Sequence, residues 1–161
     1  MLWLRALQDF VYCESQIAEN VCKGNGWLYK MLDTALSLSP RFRIVAATGG
    51  VALSVLISDI EGASKIFDKA VESFPNDWQI LYYAAYHAIY EEKNKEKAAG
   101  YLVRAARNGG KDWFYSLAVR LYTDAGQREL GLSVYKDLKD SKINPGLLDR
   151  MSQKLGLPKE Q

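Results

Sequence analysis

The sequence predicts an all-α chain built as a row of stacked helical hairpins, and three observations predict it. Ala63, Phe67 and Ala70 make a small-large-small stripe at helical spacing, and the breaker Pro75 follows. The stripe returns at Leu28, Leu32 and Ala35 before Pro40, at Ala98, Leu102 and Ala105, and more weakly at Gly131, Tyr135 and Leu138. Its first positions are therefore 35, 35 and 33 residues apart. A period of this length marks a repeat architecture in which each hairpin buries its apolar face against the next. No segment shows the strict alternation of a half-buried strand.

Taken in order, MLWLRALQDFVY reads as an amphipathic helix. Arg5 and Asp9 interrupt the apolar run that a secretory signal needs, although a chain opening on Leu2-Trp3-Leu4 also fits a fragment with something removed in front. WLYKMLDTALSLSP closes the first hairpin. RIVAATGGVALSVLI opens the second, and Gly49-Gly50 is expected to let a neighbouring backbone come close. Ser58-Asp59 makes the turn into IEGASKIFDKAVES. Asn76 or Asp77 caps DWQILYYAAYHAIYEE, and the charged EEKNKEK reads as a solvated turn before the third stripe. Asn108-Gly109-Gly110-Lys111 ends that helix; it lacks the Ser or Thr and the preceding strand of a phosphate loop. Asp112 is expected to cap WFYSLAVRLYTDAG, with Gly126-Gln127 as the turn. Asn144-Pro145 opens a closing helix through about Leu155. The count is about nine helices: repeats at about 9–42, 43–77, 78–111 and 112–141, then a capping helix at 145–155, in one domain over 1–161.

Composition narrows the function classes. Of the 161 residues 48% are hydrophobic, enough for a continuous core, and 21 basic against 19 acidic residues leave a net charge of +2. No long run of one sign exists to hold nucleic acid or an anionic membrane surface, so neither is an expected partner. No stretch reaches the roughly 18 to 20 apolar residues of a membrane span. Cys13 and Cys22, nine residues apart, would be separated by roughly 13 Å along one helix, beyond the reach of a disulfide. Two unpaired thiols point to a reducing compartment, and the cytoplasm is the expected location.

Ala63, Phe67, Ala70 and Pro75, with Tyr86, Ala98, Leu102 and Ala105 in the next unit, resemble the tetratricopeptide repeat, a helix-turn-helix of about 34 residues. The resemblance covers about residues 9 to 141, and the family's Trp and Gly-Tyr signature in the first helix is mostly missing. It implies a right-handed superhelix of about four repeats whose first helices line a concave face. The chain with its LWLRALQDF and LDTALSLSPRF segments is also similar to uncharacterised bacterial repeat proteins. Their full-length forms often carry an N-terminal membrane segment, so attachment through a segment absent from this chain is the alternative location.

The resemblance divides the aromatics of the third repeat. Tyr82, Tyr86 and Ile89 would pack on the paired helix, and Ile80, Tyr83, His87 and Tyr90 would face the groove. Tyrosine suits a binding surface, because it offers apolar area and a polar tip at little entropic cost. The competing reading is that these rings only fill the core. Corresponding positions are Val45, Thr48, Ala52 and Val55 in the second repeat and Trp113, Ser116, Arg120 and Thr123 in the fourth. Arg120 suits a two-pronged bond to a partner's carboxylate, or else pairs with Asp124 four residues on. Thr48, Ala52, Ala84, Trp113 and Leu117 stand where the family's carboxylate-clamping Lys and Asn would be, so chaperone-tail binding is not implied.

His87 is the only histidine, and no HExxH or CxxC spacing exists, so neither a metal, a cofactor nor catalysis is expected. The expectation is a non-enzymatic scaffold that binds a protein or peptide partner through Tyr83, His87, Tyr90, Trp113, Ser116 and Arg120. The alternative is a self-associating module, a homodimer through Leu2, Trp3 and Leu7 or the array ends.

Overall fold

The computed structural model describes residues 1–15, 26–141 and 143–158, with side chains from residue 9 to 15 left aside. The reading of Cys13 and Cys22 falls outside the described side chains. Nine α-helices lie among the described residues: α1 Leu2–Ser15, α2 Trp27–Leu38, α3 Arg43–Val51, α4 Ile60–Ser73, α5 Trp78–Tyr90, α6 Lys95–Arg107, α7 Trp113–Asp124, α8 Arg128–Lys139 and α9 Pro145–Lys154. A π-helical stretch, Ala52–Leu56, continues α3. No strand occurs among these residues, and no helix is long and apolar enough to cross a membrane.

Neighbouring helices pack in succession from α3 to α9 through short turns, and α1 packs on α2. Helices two apart also touch: α2 with α4, α3 with α5 and α7 with α9. The stripes that set the register occupy this interior. Ala63, Phe67 and Ala70 are buried, as are Ala98, Leu102 and Ala105, and Leu28, Leu32 and Ala35. Tyr135 and Leu138 of the weakest match are only partly buried beside Gly131. A small residue on either side of a large one leaves room for the next helix to close over the knob.

Local chemistry sets the helix ends. Asp59 accepts from the Gly62 amide, Asp77 from Gln79 and Ile80, Asn94 from Lys97, and Asn144 from Gly146 with Pro145 at the first helical position. Asp112 departs from expectation: its backbone is already helical and its side chain makes no capping bond. Gly109, at φ 90°, turns the chain out of α6 so that the Gly110 amide reaches back to the Ala105 carbonyl at 2.9 Å. The turn after α5 is shorter than EEKNKEK, because Asn94 already caps α6 and Lys95-Glu96-Lys97 form its first turn.

Polar ties recur between helices at separations of 30 to 36 residues. Lys69 meets Asp33 at 2.6 Å, Arg43 meets Asp77 at 2.6 Å and Gln79 at 2.6 Å, and Arg107 meets Asp137 at 3.0 Å. Lys97 bridges Asp68 of α4 at 2.8 Å and Glu92 at 3.1 Å, so the charged turn is partly tied to α4 and not simply solvated. Burial pushes the Lys97 ammonium down, but its bonds to Asp68 and Glu92 outweigh that and hold its pKa above the usual lysine value.

Candidate functional site

The aromatic positions of α5 divide differently from expectation. Tyr83 and Tyr90 are exposed, as expected, but Ile80 is buried and His87 is only 2% exposed. Tyr86, expected against the paired helix, is 51% exposed and packs against Tyr90 with ring centroids 4.4 Å apart. The reason is that α5 is enclosed by several neighbours. It contacts α3, α4 and α6, so Leu81, Ala84, Ala85 and Ala88 fill the close approaches and the large rings are displaced to one flank.

His87 is therefore a nearly buried tie between helices, with its ring at the edge of a groove. Its Nε2 lies 2.9 Å from Ser64 Oγ of α4, and its Nδ1 lies 3.1 Å from Ser54 Oγ in the π-helical stretch. Ser64 already donates its hydroxyl proton to the Ile60 carbonyl at 2.9 Å, so Nε2–H donates to Ser64, while Nδ1 pairs with the Ser54 hydroxyl, which can serve it as donor or acceptor. A neutral imidazole satisfies both bonds. Burial pushes the His87 pKa below the usual histidine value, although Glu92, 3.8 Å from Nε2, pulls the other way.

Beside His87 lies an apolar groove of about 260 Å³ between the α3 end and α5. Phe67 forms its floor with its ring 5.1 Å from the imidazole, Val51 and Val55 make one wall, and Tyr82, Tyr83 and Tyr86 make the other. Gly50 underlies it. A Cβ there would fall 2.8 Å from the Phe67 ring, so the glycine admits a side chain from α4 and not the neighbouring backbone that the sequence suggested. The wider π-turn lets Ser54 reach the histidine and leaves Val55 exposed at the rim.

Trp113, Ser116 and Arg120 lie together in a second groove, of about 320 Å³, between α7 and α9. Trp113 is 46% exposed, Ser116 is partly buried and Arg120 is exposed. Arg120 approaches Asp124 only to 3.9 Å, and Lys95 approaches the same oxygen to 3.8 Å, a loose surface arrangement. Leu117, Leu147, Arg150 and Lys154 complete the walls. A ring contact links the linings of the two grooves: Tyr82 meets Trp113 edge-on with centroids 6.3 Å apart, while Tyr82 stacks flat on Phe114 at 5.1 Å.

Sequence reasoning placed Val55 on the groove side but missed Tyr86 as a rim residue and Phe67 as a groove floor. It also missed Arg150 and Lys154. The i,i+4 spacing of Tyr82, Tyr86 and Tyr90, and of Arg150 and Lys154, carried that signal. Among the described residues no three His, Cys, Asp or Glu side chains converge as a metal site would. No family model matches the chain, and no curated protein matches it.

Proposed function

We propose that the chain is a non-enzymatic protein-interaction scaffold of tetratricopeptide type, a right-handed superhelical array that holds a peptide segment of a partner protein. The observation that carries this reading is the groove floored by Phe67 and walled by Val55, Tyr83 and Tyr86, whose Tyr82 is in ring contact with Trp113 of the second groove. Exposed aromatic rings beside a concave apolar floor bury much area for little lost rotamer entropy, as a binding surface requires. In this role no bond is made or broken. Tyr83, Tyr90, Trp113, Ser116 and Arg120 remain contact residues, and Tyr86 and Val55 join them.

Affinity capture from an extract of the protein's own cells, comparing the native chain with a Tyr83→Ala, Arg120→Ala double variant, tests the proposal. A partner retained by the first and lost by the second, at an unchanged melting temperature, supports it. Equal capture by both contradicts it.

A second reading, self-association, rests on Leu2, Leu4 and Leu7, which α1 leaves exposed. Trp3 is not part of that face, because it packs edge-on against Phe42 at 6.5 Å. Light scattering at high concentration decides this reading: a dimer that becomes monomeric when residues 1 to 8 are removed supports it, and a monomer throughout rejects it.

A further inference from the structure

The groove between α7 and α9 differs in charge from the one beside His87. Arg120, Arg150 and Lys154 line it together with Trp113, and no acidic residue does. Several cations elsewhere are tied to carboxylates, as in the Lys69 to Asp33 and Arg107 to Asp137 pairs, and Arg104 and Arg128 donate to the Pro75 and Leu155 carbonyls. Arg150 and Lys154, both exposed, have no ion-pair partner among the described residues, and Arg120 has only its long contact to Asp124. On α9, Leu147, Arg150 and Lys154 share one face, while Met151 and Leu155 are buried and hold that helix against the array. The cationic wall is thus presented on a packed element and not on a tail. The other groove exposes almost only apolar and aromatic surface.

We infer that the partner segment is an acidic peptide with an apolar half. Its apolar side chains enter the Val55 and Tyr86 groove, cross the Tyr82 and Trp113 contact, and give way to carboxylates facing Arg120, Arg150 and Lys154. The inference rests on the scaffold reading above and adds the chemistry of the partner. Charge complementarity carries it: unspent cations flanking an aromatic ring favour a carboxylate-bearing chain, and they repel a basic one. An extended segment of about twelve residues, roughly 40 Å long, is ample to reach from one groove to the next.

The test is selection of a random twelve-residue peptide library displayed on phage against the intact chain, followed by synthesis of the enriched sequences. The expected result is enrichment of Glu and Asp on one side of Leu, Ile or Phe. Binding of those peptides should weaken at least about tenfold in an Arg150→Glu, Lys154→Glu variant, and should fall with added salt. Both positions are exposed, so an unchanged melting temperature shows that the variant is folded. Enrichment of apolar sequences without acidic residues, or binding indifferent to the charge reversal, overturns this inference and leaves the scaffold reading standing. No enrichment at all overturns both. A single-stranded oligonucleotide that binds more tightly than the acidic peptides and displaces them overturns the choice of a peptide.

Discussion

His87 Nε2 lies 2.9 Å from Ser64 Oγ, across the interface between α5 and α4, and the burial that comes with this bond lowers the pKa of the chain's only histidine. An imidazole held neutral in the folded chain binds fewer protons than the same group unfolded. Below the unfolded value of about 6.5 the unfolded state therefore gains protons that the folded state does not, and stability falls. The melting temperature should drop between pH 7 and pH 5. Asp77 acts in a separate window: burial pushes its carboxyl up, but Arg43 and the Ile80 and Gln79 amides hold it net below its ordinary 3.8, so its contribution is lost only at more acid pH. Replacing His87 with Gln should cost about 1 to 3 kcal/mol at pH 7 and flatten the slope from pH 7 to 5. Urea melts at the two pH values check both effects.

Gly49 and Gly50 are adjacent but should respond in opposite directions to alanine. A Cβ on Gly50 meets the Phe67 ring at 2.8 Å, whereas one on Gly49 meets Leu32 at an ordinary 3.5 Å. Gly50→Ala should destabilise by about 1 to 3 kcal/mol through overpacking. Gly49→Ala should be neutral or stabilise by up to about 1 kcal/mol, because alanine is the better helix former. Chemical denaturation of the two variants measures the difference in sign.

Phe67 and Tyr86 both line the aromatic groove but differ in what they hold up. Phe67→Ala removes a buried ring and should cost about 3 to 5 kcal/mol. Tyr86→Ser removes an exposed ring and should stay within about 0.5 kcal/mol in stability while weakening partner binding. Equal stability losses in urea would show that the rim is core.

Lys97 and Arg107 give a contrast in electrostatics. Lys97 is mostly covered and bridges Asp68 and the nearly buried Glu92, so Lys97→Ala leaves two carboxylates without their cation and should cost about 1 to 2 kcal/mol. Arg107 and Asp137 are both more than half exposed, and Arg107→Ala should change stability by less than about 0.5 kcal/mol. Melts at low and high salt check the difference.

The register of the helices was legible in the sequence because Ala63, Phe67, Ala70 and their counterparts obey a local rule, helical spacing closed by Pro or Gly. The orientation of α5 was not. Its sequence is apolar nearly all round, so the face of each ring depends on which neighbours close in, and that is a tertiary outcome. His87 illustrates the limit: its partners Ser54 and Ser64 lie 33 and 23 residues away, and one sits in a π-turn that no local pattern announced. Trp113, Ser116 and Arg120 were legible as a group because they share one helical face. The α9 wall facing them was not, since the sequence indicated a cap there without saying which side of it would meet α7.

Photo-crosslinking tests the central claim, that the aromatic groove is where the partner sits. A benzophenone residue is placed at Tyr86, on the groove rim, or at Lys136, an exposed position on α8. With the captured partner present and both proteins folded, the account predicts a covalent adduct from the first position and none from the second. Adducts from Lys136 alone, or equally from both, would contradict it.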